Sequence, residues 1–576
     1  MNGTGPHALR EYAMIADGER GALVGPDGDL AWMCFPSWEC PSVFGALVGG
    51  PGLYWLRPED GWRVWGGYYE ERSLIWRSRW VTSGGLVECR QALARPAGRD
   101  SAVLLRRVHA VRGAARVQVQ LDVRAGFGRH PMAGPYDEGG MWTAHSGDVH
   151  IRWAGADGAV PTEDGLTLRL DLEPGAHHDL VLELSSRRRT GPLTGPDLWK
   201  ATEDAWHADV PACDDTIAPR DAQLAYAVLT GMTSGSGGMA AAATTSLPER
   251  AGAGRNYDYR YAWIRDQCYA GQAVAVHGGR LDLLDAAVRF VGERISADGD
   301  RLRPAYTVAG GPVPRQESLA LPGYPGSHMI VGNRVADQFQ LDVFGEALLL
   351  FAAAARADRL PPETAHAVRT AVQVIAERLE RPDAGIWETE DRRWTHSRLI
   401  CAAGLNAAAG VLATPAEAER RRSLAATLLD AAARTGLNPS GHWRRAPGDD
   451  RVDASLLLPP LRGTPDAGDP RTLATLAAVR DRLTVEGFVY RYRADERPLG
   501  EAEGAFTLCG FLLALAEHQQ GNRAEALGCF ERVRSACGTA GLFTEEYDVV
   551  QRQLRGNLPQ AFVHALLLEG ATLLAS

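Results

Sequence analysis

The chain has no surplus of basic residues: 61 Lys and Arg stand against 71 Asp and Glu, giving a formal net charge of −10 and a pI near 5.9. A phosphate-binding surface needs a basic excess or stripe, so no nucleic-acid partner is expected. The short run Arg187 to Arg189 reads as a solvated turn. No stretch approaches the roughly 20 apolar residues that span a bilayer, and the N-terminus lacks a basic segment followed by an apolar one. A cytoplasmic protein with no membrane partner is therefore expected. The nine cysteines are scattered and odd in number, with no C-x-x-C and no zinc spacing, so reduced core thiols are expected and no metal site. The glycines form neither a Walker A nor a dinucleotide fingerprint, so no cofactor is expected either.

At 576 residues the chain exceeds what one hydrophobic core usually organises. From Tyr12 to about Leu184, short apolar alternations separated by Gly, Pro and Asp turns predict an antiparallel β-sandwich, with G-P-D-G-D at residues 25 to 29 as a clear turn. Composition changes near Gly191 to Leu198, which places a boundary between an N-terminal domain with linker at 1–198 and a helical domain at 199–576. Helical spacing predicts eleven helices after Trp199, at 221–233, 262–276, 280–294, 334–357, 362–379, 394–411, 415–435, 469–483, 503–519, 524–536 and 559–574. Their alternately short and long connections suggest a toroid of paired helices.

The stretch from Arg255 to Asp266, R-N-Y-D-Y-R-Y-A-W-I-R-D, packs four aromatics, three arginines and two aspartates into twelve residues. Aromatic faces carry the C–H faces of a sugar while fixed Arg and Asp groups bond its hydroxyls, so this mixture suits the floor of a sugar pocket. The alternative is a core segment flanked by structural ion pairs. Glycine-rich residues 235 to 249 lead into it and are expected to let backbone approach the pocket. Two further acidic positions stand out: Glu388 in G-I-W-E, and the pair Glu545 and Glu546 in T-E-E-Y-D. Glycoside hydrolysis needs one protonated carboxyl and a second as base or nucleophile, and a carboxyl against a Trp face is a candidate acid. His396 and Ser397 lack a third partner for a nucleophilic arrangement, so a structural histidine is expected. Gln338 and Asp342 are expected at i and i+4 on one helix face, Asp342 as a structural group.

These segments occur in an ordered set: G-D-L-A-W-M-C-F-P-S-W at the front, T-T-S-L-P-E, R-N-Y-D-Y-R-Y-A-W-I-R-D, G-Y-P-G-S, G-N-R-V-A-D-Q-F-Q-L-D, G-I-W-E, T-H-S, D-A-S-L-L-L-P, E-G-A-F, E-E-Y-D and G-N-L-P-Q-A-F. The set resembles glycoside hydrolase family 15, with its glucoamylases, other α-glucosidases and trehalases, over nearly the whole chain. The resemblance implies an N-terminal β-sandwich followed by an (α/α)6 barrel, and exo-acting hydrolysis with inversion, releasing β-glucose from a non-reducing end. It implies Glu388 as general acid and Glu545 as general base, with carboxyls roughly 6.5 to 9.5 Å apart. Arg265 and Asp266 match the pair that holds the terminal glucose, and Tyr259, Trp263 and Trp387 match its aromatic walls. Ala402, Asn406 and Ala407 depart from the family pattern, replacing a Trp and an Asp-Arg pair, which is expected to reshape the sites beyond the first glucose. The expected substrate is a short α-glucoside of the maltose or isomaltose type. The alternatives are α,α-trehalose, or a catalytically silent sugar-binding protein.

Overall fold

Alternation of apolar and polar residues decides the first third of the chain. In strands Ala115–Asp122 and Gly165–Leu172 the pairs Val117 with Leu170, Val119 with Leu168 and Leu121 with Leu166 are buried, while most of the residues between them turn outward. With Val160–Thr162 and Leu53–Pro58 these form a four-stranded antiparallel sheet. An eight-stranded antiparallel sheet runs in the order 133–137, 141–146, 149–154, 177–185, 101–112, 86–93, 76–82, 63–69. Trp153 of the large sheet meets Tyr54 of the small one edge to face, centroids 6.0 Å apart, and its Nε1 donates to the Tyr54 hydroxyl, so the two sheets share a core. The computed structural model describes residues 5–576; the first four, which open the segment read for export signals and the expected N-terminal domain, lie outside the described residues.

A third, four-stranded meander (Ala13–Ala16, Gly21–Val24, Leu30–Cys34, Ser42–Phe44) is buried throughout. The expected turn at 25 to 29 connects its second and third strands, with Gly28 at φ +69° and no room for a Cβ against the Leu56 carbonyl. Helix α1 (Gly195–Asp209) follows and lies against the large sheet, where Arg90 covers the Trp199 ring and Arg95 the Trp206 ring at 4.3 and 4.2 Å. The expected boundary at 198/199 falls inside α1.

Twelve helices make the rest: α2 (Pro219–Met232), α3 (Ile264–His277), α4 (Asp282–Asp298), α5 (Asp342–Arg356), α6 (Ala365–Arg378), α7 (Thr395–Val411), α8 (Pro415–Gly436), α9 (Leu458–Leu461), α10 (Pro470–Arg482), α11 (Thr507–Gln519), α12 (Arg523–Arg534) and α13 (Ala561–Leu573). Helices α3, α5, α7, α9, α11 and α13 touch in that order, and α13 returns to α3. The other six pack outside this ring, α2 on α13, α4 and α6 on α5, α8 on α7, α10 and α12 on α11. This is an (α/α)6 barrel. Helices α11 and α13 are buried almost all round, as inner helices must be, whereas α8 and α10 keep a polar face. Close approach of α5 to α7 depends on Gly404, where a Cβ would fall 2.4 Å from the Gly345 carbonyl oxygen.

All eleven expected helices occur, with one correction. The run expected at 334–357 is broken: Asn333 Oδ1 accepts from Val335 N at 2.9 Å, capping a short turn Arg334–Asp337, and Gln338 is extended. Helix α5 begins only at Asp342, so Gln338 and Asp342 do not share a helix face. The glycines of 235 to 249 also act elsewhere than expected, since Gly238 abuts the Val308 carbonyl beside α4 and not the pocket. Among the described residues no disulfide forms, no cluster of three or more His, Cys, Asp or Glu is arranged to hold a metal ion, and no helix is long and apolar enough to cross a membrane.

Arg260 joins the meander to the barrel. Its guanidinium is buried, pairs with both Asp258 oxygens at 2.8 and 2.7 Å, and donates to the Cys40 carbonyl at 2.8 Å. Arg260→Ala leaves the Asp258 carboxylate buried without a charged partner, with the Gly332 N–H still donating to it at 3.0 Å, and is expected to cost about 3–5 kcal/mol, read as a lower urea midpoint. An unchanged midpoint contradicts this role.

Candidate active site

The N-terminal ends of the inner helices gather at one end of the ring. The residues just before α3, α11 and α13 are Trp263, Phe506 and Gln560, and all three line one pocket enclosing about 520 Å³ of space. Helix N-termini present unpaired N–H groups and a positive dipole end, which favours carboxylates there. Tyr259, Trp263, Arg265, Asp266, Trp387, Glu388 and Glu545, the seven residues expected at a site, line this pocket.

The Arg255 to Asp266 stretch divides between two tasks. Asp258 and Arg260 form the buried pair described above, and Arg255 turns away to pair with Glu249 at 2.6 Å. Residues 262 and 263 pair with Ala305–Tyr306, and α3 starts at once, so Arg265 and Asp266 occupy its first turn and face the pocket. Arg265 is clamped by Gln340 at 2.7 Å and Asp342 at 3.3 Å, so Asp342 serves as its anchor. Asp266 is buried, its Oδ1 without a hydrogen-bond partner, and burial followed by the nearby Glu388 pushes its pKa up to about 7 against the opposing pull of Arg265.

Three residues of the same stretch hold the two glutamates. Trp263 Nε1 donates to Glu388 Oε1 at 2.7 Å, and Arg265 Nη2 reaches the same oxygen at 3.3 Å. The Tyr259 hydroxyl donates to Glu545 Oε2 at 3.2 Å, and the Tyr259 and Trp263 rings meet edge to face at 5.5 Å. Glu388 sits on a tight turn with φ +54°, an uncommon backbone for a side-chain-bearing residue. The turn is held by Asp383, which accepts from Gly385 N, Ser397 Oγ and Arg398 Nη1, each at 2.9 Å. Ser397 is thus a structural donor, and His396 is buried with its pKa pushed down to about 3 by burial and Arg265.

Glu545 and Glu546 point to opposite sides. Glu546 begins a short strand and faces a buried cluster of Glu249, Glu503, Arg255 and Arg491 behind the pocket. Burial, then the Glu249 charge, drives Glu545 well above the usual carboxylate range, while Arg491 and the Tyr259 hydroxyl oppose this. Arg491, Phe506 and Gln560 line the pocket and were not singled out from sequence, although Phe506 and Gln560 stand in the quoted E-G-A-F and G-N-L-P-Q segments. Ala402, Asn406 and Ala407 lie along α7 away from the pocket lining; Asn406 Nδ2 donates to Thr464 Oγ1 at 3.0 Å.

A helical ring with two carboxyls facing one aromatic-walled pocket is the construction of a glycoside hydrolase. The pattern described as Glycosyl hydrolases family 15 matches residues 223–572, and that described as Trehalase-like, N-terminal matches residues 1–186. The chain is 30% identical to a trehalase of Mycolicibacterium smegmatis, over 97% of this chain and 90% of that one. It is 29% identical to trehalase 1 of Sulfolobus acidocaldarius, over 97% and 98%. A bacterial glucoamylase solved with acarbose shares the fold with a TM-score of 0.69 at 14% identity, covering 100% of this chain and 96% of that one. The chain belongs to glycosyl hydrolase family 15.

A carboxyl with a raised pKa stays protonated further up the pH scale, so any step that needs ionised Glu545 fails as pH falls through that raised value. The acid limb of kcat/KM is expected above the ordinary glutamate pKa of about 4.3. Glu249→Gln removes the neighbouring charge and is expected to move that limb down; a limb that does not move contradicts the coupling.

Proposed function

We propose that the protein hydrolyses α,α-trehalose with inversion, the alternative of the sequence reading rather than its maltose-type first choice. The likeness to trehalases over nearly the whole chain carries this substrate, because the groups around the first glucose would serve any α-glucoside. In this reading residues 199–576 form the catalytic domain and 1–198 support it, with α1 resting on the sheets.

Arg265 and Asp266 bond the outer hydroxyls of one glucose, and Tyr259, Trp263 and Trp387 wall it. Both contacts to Glu388 fall on Oε1, which leaves Oε2 to carry the proton given to the glycosidic oxygen. Glu545 takes a proton from a water attacking the anomeric carbon from the other face. Tyr259 and Arg491 favour the ionised form that this base role requires. The C1–O bond of the held glucose breaks, that glucose leaves as the β anomer, and the departing glucose keeps its α configuration.

Trehalose followed by NMR is therefore expected to give α- and β-glucose in equal first amounts, with maltose and isomaltose turned over more slowly. Release of α-glucose alone overturns inversion, and turnover of maltose without trehalose overturns the substrate. Glu388→Gln and Glu545→Gln are each expected to lower kcat by about 10²–10⁴-fold. Binding of trehalose without any cleavage by the native protein establishes the silent sugar-binding reading instead.

A further inference from the structure

Asp453 stands in D-A-S-L-L-L-P, a segment to which the chemistry above gives no task. It is buried, and each of its carboxyl oxygens lies 2.9 Å from Trp387 Nε1. The carboxylate is itself fixed, Oδ1 accepting from Ser455 N at 2.9 Å and Ser455 Oγ at 2.7 Å, Oδ2 from Arg445 Nε at 3.3 Å. Arg445 in turn lies over the Tyr492 ring at 3.5 Å and the Trp394 ring at 4.6 Å.

Packing alone does not hold the Trp387 ring. The residue lines the sugar pocket and also a second, much smaller cleft bounded by Asp453, Ser455, His396 and Arg445. Phe506 meets the ring edge-on at 5.0 Å, and the Arg491 guanidinium lies 5.6 Å from its centroid. A charge-assisted bond to a carboxylate that is itself held from three sides is the firmest constraint on the indole's rotation. Glu388 is the next residue, on a turn closed by its own N–H to the Gly385 carbonyl at 3.2 Å, so the two side chains hang from one short turn and the seating of Trp387 bears on the aim of the Glu388 carboxyl.

We infer that Asp453 is a positioning residue which fixes Trp387, and through it Glu388, from the side remote from substrate. This rests on the reading of Glu388 as the acid. The test compares trehalose with α-glucosyl fluoride, whose leaving group departs as fluoride with little need of a proton. Asp453→Ala is expected to lower kcat/KM on trehalose by about 10²-fold, the scale of a misplaced catalytic group, and on the fluoride far less. Asp453→Asn keeps an acceptor for the indole N–H and is expected to recover most of the loss.

Trp387→Phe removes that N–H while keeping a ring in the wall. It is expected to show the same split between substrates, and Asp453→Ala is expected to add little in that background. This second variant decides the matter should Asp453→Ala fail to fold. Equal losses on both substrates, or none, in the Asp453 and Trp387 variants overturn the inference. If Glu388→Gln itself shows no split, the acid assignment has failed; if it shows the split and the Asp453 variants do not, only the positioning role has failed.

Discussion

Closure of six inner helices into a ring is the constraint on which the rest of the structure depends. No local sequence signal can bring Tyr259, Glu388 and Glu545 to one place, because they stand on three loops distant in the chain. The ring does it by placing the N-termini of α3, α11 and α13 together, so that the residue before each of these three helices, or in its first turn, becomes a wall of the same pocket. The positive helix ends also offset part of the cost of collecting Asp266, Asp342, Glu388 and Glu545 away from water.

That cost is otherwise met by pairing. Arg265 lies between Asp342 and Glu388, and Arg255 and Arg491 lie among Glu249, Glu503 and Glu546. More carboxylates than guanidinium groups share this volume, so burial works against ionising all of them together. Asp266 and Glu545, both facing the pocket, are driven upward by burial, and so are Asp342 and Glu546 beside them. Tyr259 and Trp263 then set where the two glutamates stand, which makes them holders of the carboxyls as well as walls of the pocket.

Much of the architecture was legible because its periods differ: buried alternation in Ala115–Asp122 reads as sheet, and the spacing of α3 or α13 reads as helix. The break before Asp342 was not legible, since it depends on one Asn cap inside an otherwise helical pattern. At the site, the residue types of the Arg255 to Asp266 stretch suggested a sugar, but sorting Arg265 from Arg255 and Arg260 required knowing that α3 starts at Ile264. A W-E dipeptide says little by itself, and although the Trp beside it marked Glu388 as a candidate acid, the resemblance added the weight to that reading. The sequence reading could not choose between maltose and trehalose, because both present a terminal glucose to whatever groups receive it.

The contact that closes the ring also orders events during synthesis. Helix α13 packs on α3, and just before α13 Asn557 donates to the Tyr257 carbonyl at 2.8 Å across 300 residues of chain. A ribosome delivers the Arg255 to Asp266 stretch long before it delivers the helix that seals it. Until then α3 exposes the apolar face that α13 will cover, so the nascent barrel spends most of its translation as an open, adhesive arc.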